Sequence, residues 1–536
     1  MKKLVLSLAL LSLVFTGCDT EPSSSSYNNQ NNEDLKDLKI DDKYRNFYEI
    51  FVYSFADSNG DNIGDLKGIT SKLAYLRDLG FTGIYLTPIF ESNTYHKYDT
   101  IDYFTIDPSF GTMDDLKELV SKAHELGIKV ILDVALNHTS ISNPLYSKSL
   151  LAHRKQFLGQ ELTEEDKEYA SLYTFYDTLE DAQASGSTYY RAGANDFYYE
   201  ANFSSDMPEL NFDNELAYDL ADEIFTTYLN LGVDGFRLDA AKYYYLGNTD
   251  KNIQVLNRFK DICDAVKDNY IVAEVWDSDS VIKDYSASKI DSFFYFPVSS
   301  SYSNSFITRS FGFEGMTRDN YLTGQQTMMD NSTSIPAPFL DNHDMARMTQ
   351  GNNSKRTKLQ LGLLSLLTGC TFTYYGDEIG MSSANNPGGD YADSNYRTHY
   401  YWGDESIECN DAPHSVVQTQ YFPSAEEQLK DADSVLNYQK KANLIRNSIR
   451  PIARGEISVS SEDEKINEDS DKYLLAYSKS YEDETVKIVI NFSATDTLSY
   501  KTDLDVEAVL LTDIDSSVTE EDGNISLPPY SIVILS

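Results

Sequence analysis

The chain has few of the residues on which disulfide scaffolds and histidine-based metal centres depend. Only four of its 536 residues are cysteines. Cys263, Cys370 and Cys409 follow no metal-ligand spacing, and largely apolar surroundings predict buried free thiols. The seven histidines include no His-x-His or His-x-x-x-His pair. These absences argue against a disulfide framework and against a helical or strand-borne zinc site.

Basic residues are also scarce. The sequence has 44 Lys and Arg against 85 Asp and Glu, which gives a net charge of -41. Such a surface repels a phosphate backbone and anionic lipid headgroups, so we expect no nucleic-acid partner. The acidic excess indicates solubility or salt tolerance on an exported surface. With 41% hydrophobic and 24% charged residues, the composition is that of a globular protein.

The N-terminal stretch "MKKLVLSLALLSLVFTGC" predicts a secretory signal over residues 1–18, because two lysines precede an apolar run too short to remain as a membrane span. "FTGC" resembles a bacterial lipobox, which predicts a lipid on Cys18; a plainly cleaved signal is the alternative. Residues 19–43 are polar and predict a flexible tether. We therefore expect an exported monomer, anchored by lipid outside a bacterial membrane and otherwise not in contact with it.

From residue 44 onward, short apolar runs alternate with longer amphipathic stretches. "YEIFVYSF", "GIYLTPIF" and "KVILDVAL" are typical strands, and "DLKGITSKLAYLRDLG" and "TMDDLKELVSKAHELG" have helical spacing. Eight strand candidates occur in this order. Repeated βα units predict a doubly wound sheet or a closed barrel, with ligands at the carboxyl ends of the strands.

Two changes in this rhythm predict further domains. The alternation stops between residues 138 and 207, which indicates an insertion between two parts of the βα region, residues 44–137 and 208–451. Residues 452–536 contain alternating short strands without helices, which predicts a small antiparallel β domain.

Polar side chains gather where predicted strands end. The clusters are "YHKYD" (Tyr98, Asp99), "DVALNH" (Asp133, Asn137, His138), "GFRLD" (Arg237, Asp239), "EVWD" (Glu274) and "FLDNHD" (Asn342, His343, Asp344). On parallel strands they would meet at one mouth, where burying charges without a purpose is costly. A metal site or acid–base chemistry on a sugar would explain them. The histidine spacing favours sugar chemistry.

Retaining glycosidases need an ionised carboxylate nucleophile beside a carboxyl group whose pKa is raised. Arg237 lies two residues before Asp239 and points to the same side of its strand, so we expect it to keep Asp239 ionised. An aromatic ring such as Tyr98 suits the C–H face of a sugar. Trp276 and Trp402 are expected to pack in the core.

The stretch "DSNGDNIGD" places oxygen-bearing side chains at Asp57, Asn59, Asp61 and Asp65. This alternation begins like a calcium-binding EF-hand loop, in which Ile63 would offer a backbone carbonyl. However, Asn62 replaces the turn glycine, and a strand replaces the entering helix. From these residues alone, a calcium loop and a polar Asx-rich turn both remain open.

The order and content of these segments resemble the α-amylase family, glycoside hydrolase family 13. The resemblance spans roughly residues 44–536 and implies a TIM (β/α)8 barrel, a B domain inserted after strand 3 and a C-terminal antiparallel β-sandwich. It implies that Asp239 is the nucleophile, Glu274 the general acid/base and Asp344 a third acid that binds sugar hydroxyls.

The same resemblance assigns supporting residues. It implies that the substrate is bound by Tyr98, His138, Arg237, Lys242 and His343, and that Asp99, Asp133 and Asn342 support the site. It also implies a structural calcium ion at Asp57, Asn59, Asp61, the Ile63 carbonyl and Asp65, and a second calcium ligand at Asn137.

The expected function is hydrolysis of internal α-1,4 bonds in starch-like α-glucans and maltooligosaccharides. "MPELN" looks intermediate between oligo-1,6-glucosidases and neopullulanases, and Tyr243 stands where many α-amylases carry His. Transglycosylation, or activity of the neopullulanase or oligo-1,6-glucosidase type, is therefore an alternative. A non-catalytic glycan-binding lipoprotein is a second alternative, although it would have no need for a glutamate of raised pKa.

Overall fold

The computed structural model describes residues 25–29, 32, 35, 40–299, 307, 318–349, 351–384, 389–416, 420–461, 463 and 473–536. The predicted signal and Cys18 lie outside these residues. Cys263, Cys370 and Cys409 are buried free thiols, as predicted. Within the described ranges, no helix is both long and apolar enough to cross a membrane.

Eight parallel strands form a closed barrel. Numbered 1 to 8 along the chain, they are Asn46–Ile50, Gly83–Leu86, Lys129–Val134, Gly235–Leu238, Tyr270–Ala273, Ser292–Phe294, Ile335–Ala337 and Thr371–Tyr374. Each strand pairs with its neighbours in parallel register. A bridge between Phe339 and Phe372 joins the last two strands. The predicted fold class is confirmed.

Helices cover the outside of the barrel. They are Leu66–Asp78, Met113–Glu125, Glu215–Leu231, Thr249–Val266, Asp279–Tyr285, Arg318–Asp330, Ser354–Ser365 and Val435–Ser448. The second helix shows why they form: Thr112 and Asp115 make a reciprocal capping box at its start. Its apolar residues at helical spacing are buried against the sheet.

The insertion after barrel strand 3 forms a small domain with its own sheet. Its helices are Pro144–Phe157, Glu164–Tyr169 and Leu179–Ala184, and its strands are Phe175–Tyr176, Tyr189–Arg191 and Tyr198–Glu200. A bridge between His138 and Glu209 ties it to the barrel mouth. A hairpin of Phe90–Ser92 and Thr100–Ile106 follows strand 2. The remaining short helices are Val52–Ser54, Phe296–Val298, Asp377–Ile379, Gly389–Tyr396, Ala425–Gln428 and Arg450–Arg454.

The C-terminal domain is built from two antiparallel sheets. One has the order Glu456–Ser458, Leu474–Tyr481, Glu484–Asn491, Ser531–Leu535 and Val506–Leu511. The other contains Val518–Glu521, Asn524–Leu527 and Leu498–Lys501. Buried side chains from both sheets, including Val489, Val509 and Ile525, form one core between them.

Part of the predicted tether is structured. Ser25–Tyr27 form an edge strand that pairs antiparallel with Val518–Glu521. The Asn29 side chain pairs with both backbone polar groups of Leu511, and Asn32 pairs in the same way with Val509. A flexible tether over residues 19–43 is therefore wrong for these described residues, because a polar segment can still satisfy an exposed sheet edge through backbone and amide hydrogen bonds.

Candidate active site

The predicted polar clusters converge at the carboxyl end of the barrel. Barrel strand 3 carries Asp133, strand 4 carries Arg237 and leads into Asp239, and Glu274 follows strand 5. Arg237 and Asp133 are direct partners in the parallel register. This pairing brings residues that are far apart in sequence into contact, because equivalent ends of parallel strands share one edge.

The Arg237 guanidinium joins three carboxyl groups. Its Nη1 donates to Asp133 at 2.9 and 3.0 Å and to Asp239 Oδ1 at 2.5 Å. Its Nη2 lies 3.0 Å from Glu274 Oε2. The proposed nucleophile and acid/base therefore flank one buried cation, with exposed fractions of 8% each.

The backbone after Asp239 also positions Glu274. Ala240 has a φ of 47°, a strained conformation for a residue with a Cβ. Its N–H donates to Glu274 Oε2 at 3.1 Å, and the Ala241 N–H donates to the Glu274 carbonyl at 3.0 Å. The turn after strand 4 thus fixes both the backbone and the carboxyl group of Glu274.

Burial raises the pKa values of both reacting acids. For Asp239 and for Glu274, desolvation outweighs the opposing effect of Arg237 and raises the pKa to about 6. Arg237 contacts Asp239, but the expectation that its charge keeps Asp239 ionised is not supported, because burial outweighs that charge and the pKa of Asp239 rises. Two interacting acids whose pKa values are both raised suit acid catalysis beside a nucleophile.

A second chain of contacts leads to Asp344. Tyr98 donates to Asp133 at 2.8 Å and lies 2.6 Å from His343 Nε2. The other His343 nitrogen, Nδ1, lies 2.6 Å from Glu49 Oε1. The Tyr98 ring stacks on His343 at a centroid distance of 5.5 Å and is 9% exposed, so the ring forms one buried wall of the mouth.

Asp344 is held as a carboxylate. His343 Nε2 lies 3.1 Å from Asp344 Oδ2, and Arg397 donates to Oδ1 at 2.5 Å. Burial alone would raise the pKa of Asp344, but these two cations hold it well below its usual range. Burial opposes charge on His343 as well, yet Asp344 and Glu49 raise its pKa to about 10. The imidazolium and the carboxylate thus stabilise each other.

His138 and His96 are neutral histidines at the same mouth. Burial lowers the pKa of His138 to about 4 and that of His96 to about 3. His138 Nε2 is buried and has no hydrogen-bond partner among the described residues. A sugar hydroxyl is a partner of suitable chemistry for this nitrogen.

Two exposed aromatic side chains, each packed on a second ring, form a rim beside the acids. Trp276 is 42% exposed and stacks on Phe296 at 5.0 Å, and Phe203 is 47% exposed and packs on Tyr243 at 4.8 Å. The prediction that Trp276 packs in the core is wrong, because only one face of its ring is covered. Trp402 is buried as predicted.

The remaining predicted residues have supporting contacts. Lys242 Nζ donates to the Trp276 carbonyl at 2.8 Å and to Asp277 at 2.7 Å. Asp99 accepts hydrogen bonds from the hydroxyls of Ser92 and Thr94, and burial raises its pKa. The Asn342 Oδ1 accepts from the Asp344 N–H at 3.0 Å.

Asn137, the predicted second calcium ligand, is 1% exposed. Its side chain is hydrogen-bonded to the buried Glu209, and its Nδ2 lies 3.5 Å from His138 Nδ1. Burial and the neighbouring Glu200 raise the pKa of Glu209 to about 8. Asn137 therefore lies beside a buried carboxyl group, and its role as a second calcium ligand stays a prediction.

The loop at residues 57–65 curls around Asp57. Its carboxylate accepts from the N–H groups of Asn59 and Gly60 at 2.8 Å and of Asn62 at 2.6 Å. Asn62 adopts a φ of 65°, which permits the turn where a glycine was expected. Asp65 caps the next helix by accepting from the Gly68 N–H at 2.7 Å.

The donor chemistry of this loop fits calcium, because carboxylate, amide and carbonyl oxygens follow at alternate positions. However, the part of the chain that is described contains no preformed group of three or more His, Cys, Asp or Glu side chains that could hold a metal ion. The oxygens of Asn59 and Asp61 accept local N–H groups. An ion would therefore have to draw these side chains inward.

The sequence argument missed Glu49 and Arg397, which hold His343 and Asp344. Glu49 lies inside a fully buried strand, and a lone charged residue in "FYEIF" is a signal that could have identified it. Arg397 lies in an irregular segment with no readable pattern. Trp276 lies two residues after Glu274, and this spacing could have placed it on the same side of the chain.

Comparisons with known proteins agree with this geometry. Residues 49–455 match the family described as "Alpha amylase, catalytic domain". The chain is 34% identical over 504 residues to Alpha-amylase 3 of Dictyoglomus thermophilum, a match that covers 92% of this chain and 93% of that protein. It is 28% identical over 346 residues to the 4-alpha-glucanotransferase of Thermotoga neapolitana, a match that covers 62% of this chain and 71% of that protein.

Solved structures show the same architecture. Eubacterium rectale Amy13B superposes with a TM-score of 0.86 at 32% identity, covering 96% of this chain and 99% of that one. The α-amylase from H. orenii superposes with a TM-score of 0.76 at 28% identity, and the match covers 92% of this chain and 99% of that one. The similarity therefore includes the insertion and the C-terminal domain as well as the barrel.

Proposed function

The chain belongs to the α-amylase family of glycoside hydrolases, and on that premise we propose that it cleaves internal α-1,4-glucosidic bonds of starch-like α-glucans and maltooligosaccharides with retention of configuration. The observation that carries the proposal is the placement of Asp239 and Glu274 on the two Nη atoms of one guanidinium. Retaining hydrolysis needs two carboxyl groups close enough to act on one anomeric carbon and its leaving oxygen.

The reaction is a double displacement. Asp239 attacks the anomeric carbon while Glu274 gives its proton to the departing glucosidic oxygen. Glu274, now a carboxylate, then removes a proton from water, which releases the sugar and restores Asp239. Arg237 contacts both acids and stabilises whichever is ionised at each step.

Neighbouring residues bind the reacting glucose. The Tyr98 ring packs on the sugar face, and the free nitrogen of neutral His138 hydrogen-bonds a hydroxyl. Asp344, which stays ionised, accepts hydrogen bonds from sugar hydroxyls and favours ring distortion. Arg237 and His343 are 2% and 1% exposed and their N–H groups lie on acids of the site, so they act on the sugar by holding Asp239, Glu274 and Asp344. Lys242 contributes at the leaving-group side.

Transfer to a second sugar is the alternative outcome of the same intermediate. The exposed ring of Trp276 follows Glu274 closely, and Phe203 and Tyr243 form a second aromatic surface beside it. Such rings bind an incoming glucan that competes with water for the glycosyl group. The partial similarity to a 4-alpha-glucanotransferase is consistent with this alternative.

We further propose that the 57–65 loop binds one structural calcium ion. The support is its run of oxygen donors and the curled backbone at Asn62. The ion would be held by Asp57, Asn59, Asp61, the Ile63 carbonyl and Asp65, and it would stiffen the first βα loop without entering the chemistry. Asn137 remains the proposed ligand of a second calcium ion, with the carboxyl group of Glu209 beside it.

Export and lipid attachment at Cys18 remain part of the proposed biology. The sequence of residues 1–18 supports them, and the net charge of -41 disfavours other contact with anionic lipid. Metabolic labelling with a radioactive fatty acid tests the anchor: wild type should carry label and Cys18→Ala should not. Incorporation by both proteins would contradict it.

The enzymatic proposal is tested by parallel incubation with starch, pullulan and cyclodextrin, with time-resolved chromatography and proton NMR of the first products. We expect starch to yield short oligosaccharides whose new reducing ends are initially α. Initial β products would contradict retention. Early accumulation of chains longer than the substrate would identify transfer as the main reaction.

A further inference from the structure

Two buried acids lie behind the Asp344 loop and have no role in the chemistry above. Asp341 follows barrel strand 7, Asp377 follows barrel strand 8, and each is 1% exposed. The two carboxyl groups interact, because the charge of Asp341 raises the pKa of Asp377. Neither Oδ1 makes a hydrogen bond to another described residue. Two carboxyl groups can share a hydrogen bond only if one of them carries a proton.

One guanidinium serves both acids. Arg347 Nη1 lies 3.5 Å from Asp377 Oδ1 and donates to the Tyr375 carbonyl at 2.6 Å. Its guanidinium carbon also lies 4.4 Å from the centre of the Tyr374 ring. Two adjacent buried carboxylates against a single cation would leave a negative charge uncompensated, at a cost of several kcal/mol.

The other charged groups around the pair are already engaged. Glu49 contacts His343 at 2.6 Å. Glu378 accepts from the hydroxyls of Tyr48 and Tyr400 and from the Gly376 N–H. Both acids add negative potential to the pair, since Glu49 raises the pKa of Asp341 and Glu378 raises that of Asp377. The surroundings therefore favour retention of a proton.

The pKa values of both acids are raised, so both tend to keep a proton. Burial raises the pKa of Asp341 to about 7, and burial together with Asp341 raises the pKa of Asp377 well above its usual range. Asp341 accepts a hydrogen bond from the Met348 N–H, which favours its ionised form, so we assign the proton to Asp377. Asp341 then remains an acceptor.

The Asp341 carboxyl group closes a loop by accepting a hydrogen bond from the backbone. Its Oδ2 accepts from the Met348 N–H, and the segment between them carries His343 and Asp344. On the far side, the Arg347 N–H donates to Ser383 Oγ at 3.1 Å. The acid pair is thus the anchor at the base of the loop that holds two substrate-binding groups.

We propose that Asp341 and Asp377 share one proton and act as positioning residues that fix residues 341–348, and through them His343 and Asp344, in the reactive geometry. The proposal rests on the function proposed above for those two residues. Loss of the shared proton at alkaline pH would place two negative charges against Arg347. The loop would then lose its anchor, and turnover would fall.

The test compares Asp377→Asn with Asp377→Ala. The amide keeps a donor for Asp341 and cannot ionise, so Asp377→Asn should keep kcat/KM within about threefold of wild type near pH 6. The alanine removes the donor, and a displaced loop should lower kcat/KM about 10- to 100-fold. Above pH 7, kcat/KM of wild type should fall with the loss of two protons, one from Glu274 and one shared by Asp341 and Asp377. In Asp377→Asn, kcat/KM should fall with the loss of the Glu274 proton alone.

Asp463→Asn is the matched control, because Asp463 is also buried but pairs with Lys487 and Tyr500 in the C-terminal domain. It should lower the Tm and leave the pH profile unchanged. If Asp377→Asn has the wild-type alkaline limb, or is as inactive as Asp377→Ala while folded, the proposal is wrong. If Asp377→Asn does not fold, Asp341→Asn applies the same test, since it also removes the shared proton.

Infrared spectroscopy tests the proton without relying on turnover. At pH 6, the protonated-carboxyl band of wild type, to which Glu209 and the catalytic acids also contribute, should contain one component that is absent from Asp377→Asn and present in Asp463→Asn. An identical carboxyl region in wild type and Asp377→Asn would overturn the proposal. Should the hydrolase function itself be wrong, wild type would show no turnover on glucans, whereas this spectral difference would still be present.

Discussion

Buried acids at the two ends of the barrel have pKa values shifted in opposite directions. At the amino end, Asp234 accepts from His124 at 2.7 Å, Lys129 at 2.8 Å and the Val130 N–H at 2.9 Å. Burial alone would raise the pKa of Asp234, but these three partners lower it. At the mouth, Asp239 and Glu274 depend on one Arg237, and both pKa values are raised to about 6.

The difference separates a stabilising network from a reactive one. Surplus donors around an acid keep it ionised and strengthen the fold, whereas surplus acids around one cation keep a proton available near neutral pH. In barrels of this kind, residues at the amino end of the strands contribute to stability, and residues at the carboxyl end carry the chemistry. Substitutions at the two ends should therefore have separable effects on turnover and on the free energy of unfolding.

Asp239→Asn should produce the largest effect on turnover. Removing the nucleophile should lower kcat on soluble starch by about 10⁴-fold or more, because no other group can form the glycosyl ester. The Tm should be at or above that of wild type, since a buried acid of raised pKa is replaced by a neutral amide. Reducing-sugar release within tenfold of wild type would contradict the assignment.

The pH dependence of kcat/KM should be bell-shaped and centred near pH 6. Activity should fall at low pH because Asp239 must be ionised, and at high pH because Glu274 must be protonated. The two apparent pKa values belong to the interacting pair. Initial rates across pH 4–9 provide the measurement, and Glu274→Gln should lose the alkaline limb along with most activity. A kcat/KM that does not change between pH 4 and pH 9 would contradict the assignment of Asp239 and Glu274 as nucleophile and acid.

Asp234→Asn should show the reverse pattern. Leaving Lys129 and His124 without their shared carboxylate should lower the free energy of unfolding by about 1–3 kcal/mol while kcat stays within about twofold. Because the native pKa of Asp234 is lowered, its contribution is present above the unfolded pKa and is lost as pH falls through the native value. Urea unfolding at pH 7 and at lower pH measures both. A tenfold loss of kcat with unchanged unfolding would reverse the roles of the two ends.

Trp276→Ala should change the fate of the intermediate more than its formation. Losing an exposed ring beside Glu274 should shift the ratio of transfer to hydrolysis by roughly tenfold, with a smaller change in the consumption of substrate. Phe157→Ala, which removes an exposed ring on the insertion, is the control. Equal product ratios in wild type and Trp276→Ala would mean that the rim does not bind the acceptor.

Chelation should have the smallest effect. If the 57–65 loop binds calcium, removal of the ion should lower the apparent Tm by roughly 2 °C and leave kcat nearly unchanged, because an ion that binds only the native state stabilises it by mass action. Asp61→Ala should abolish the response to added calcium. A calcium-dependent Tm in Asp61→Ala equal to that of wild type would place the ion elsewhere.

Local spacing and parallel strand order were enough to predict much of the site. Arg237 and Asp239 share a strand face because they are two residues apart, and Asp133 meets them through the register of adjacent parallel strands. Glu49 and Arg397 could not be paired with His343 and Asp344 in this way, because their contacts depend on how distant loops fold over the mouth.

The errors also have physical reasons. The N-terminal segment is polar and was predicted to be a tether, but a sheet edge recruits a strand through backbone groups that composition does not describe. Trp276 was assigned to the core because a large apolar ring is usually covered, whereas at a binding mouth one face stays open. The effect of Arg237 on Asp239 was judged from charge alone, and the larger effect of burial could be assessed only in the folded chain.

The most direct test of the central claim is mass-spectrometric mapping of a trapped glycosyl-enzyme. A fluorinated maltosyl fluoride that forms the intermediate faster than water removes it should label the protein, and peptide mapping should locate one maltosyl unit on Asp239. A label on another carboxylate, or an unlabelled enzyme that still turns over the parent substrate, would contradict the account.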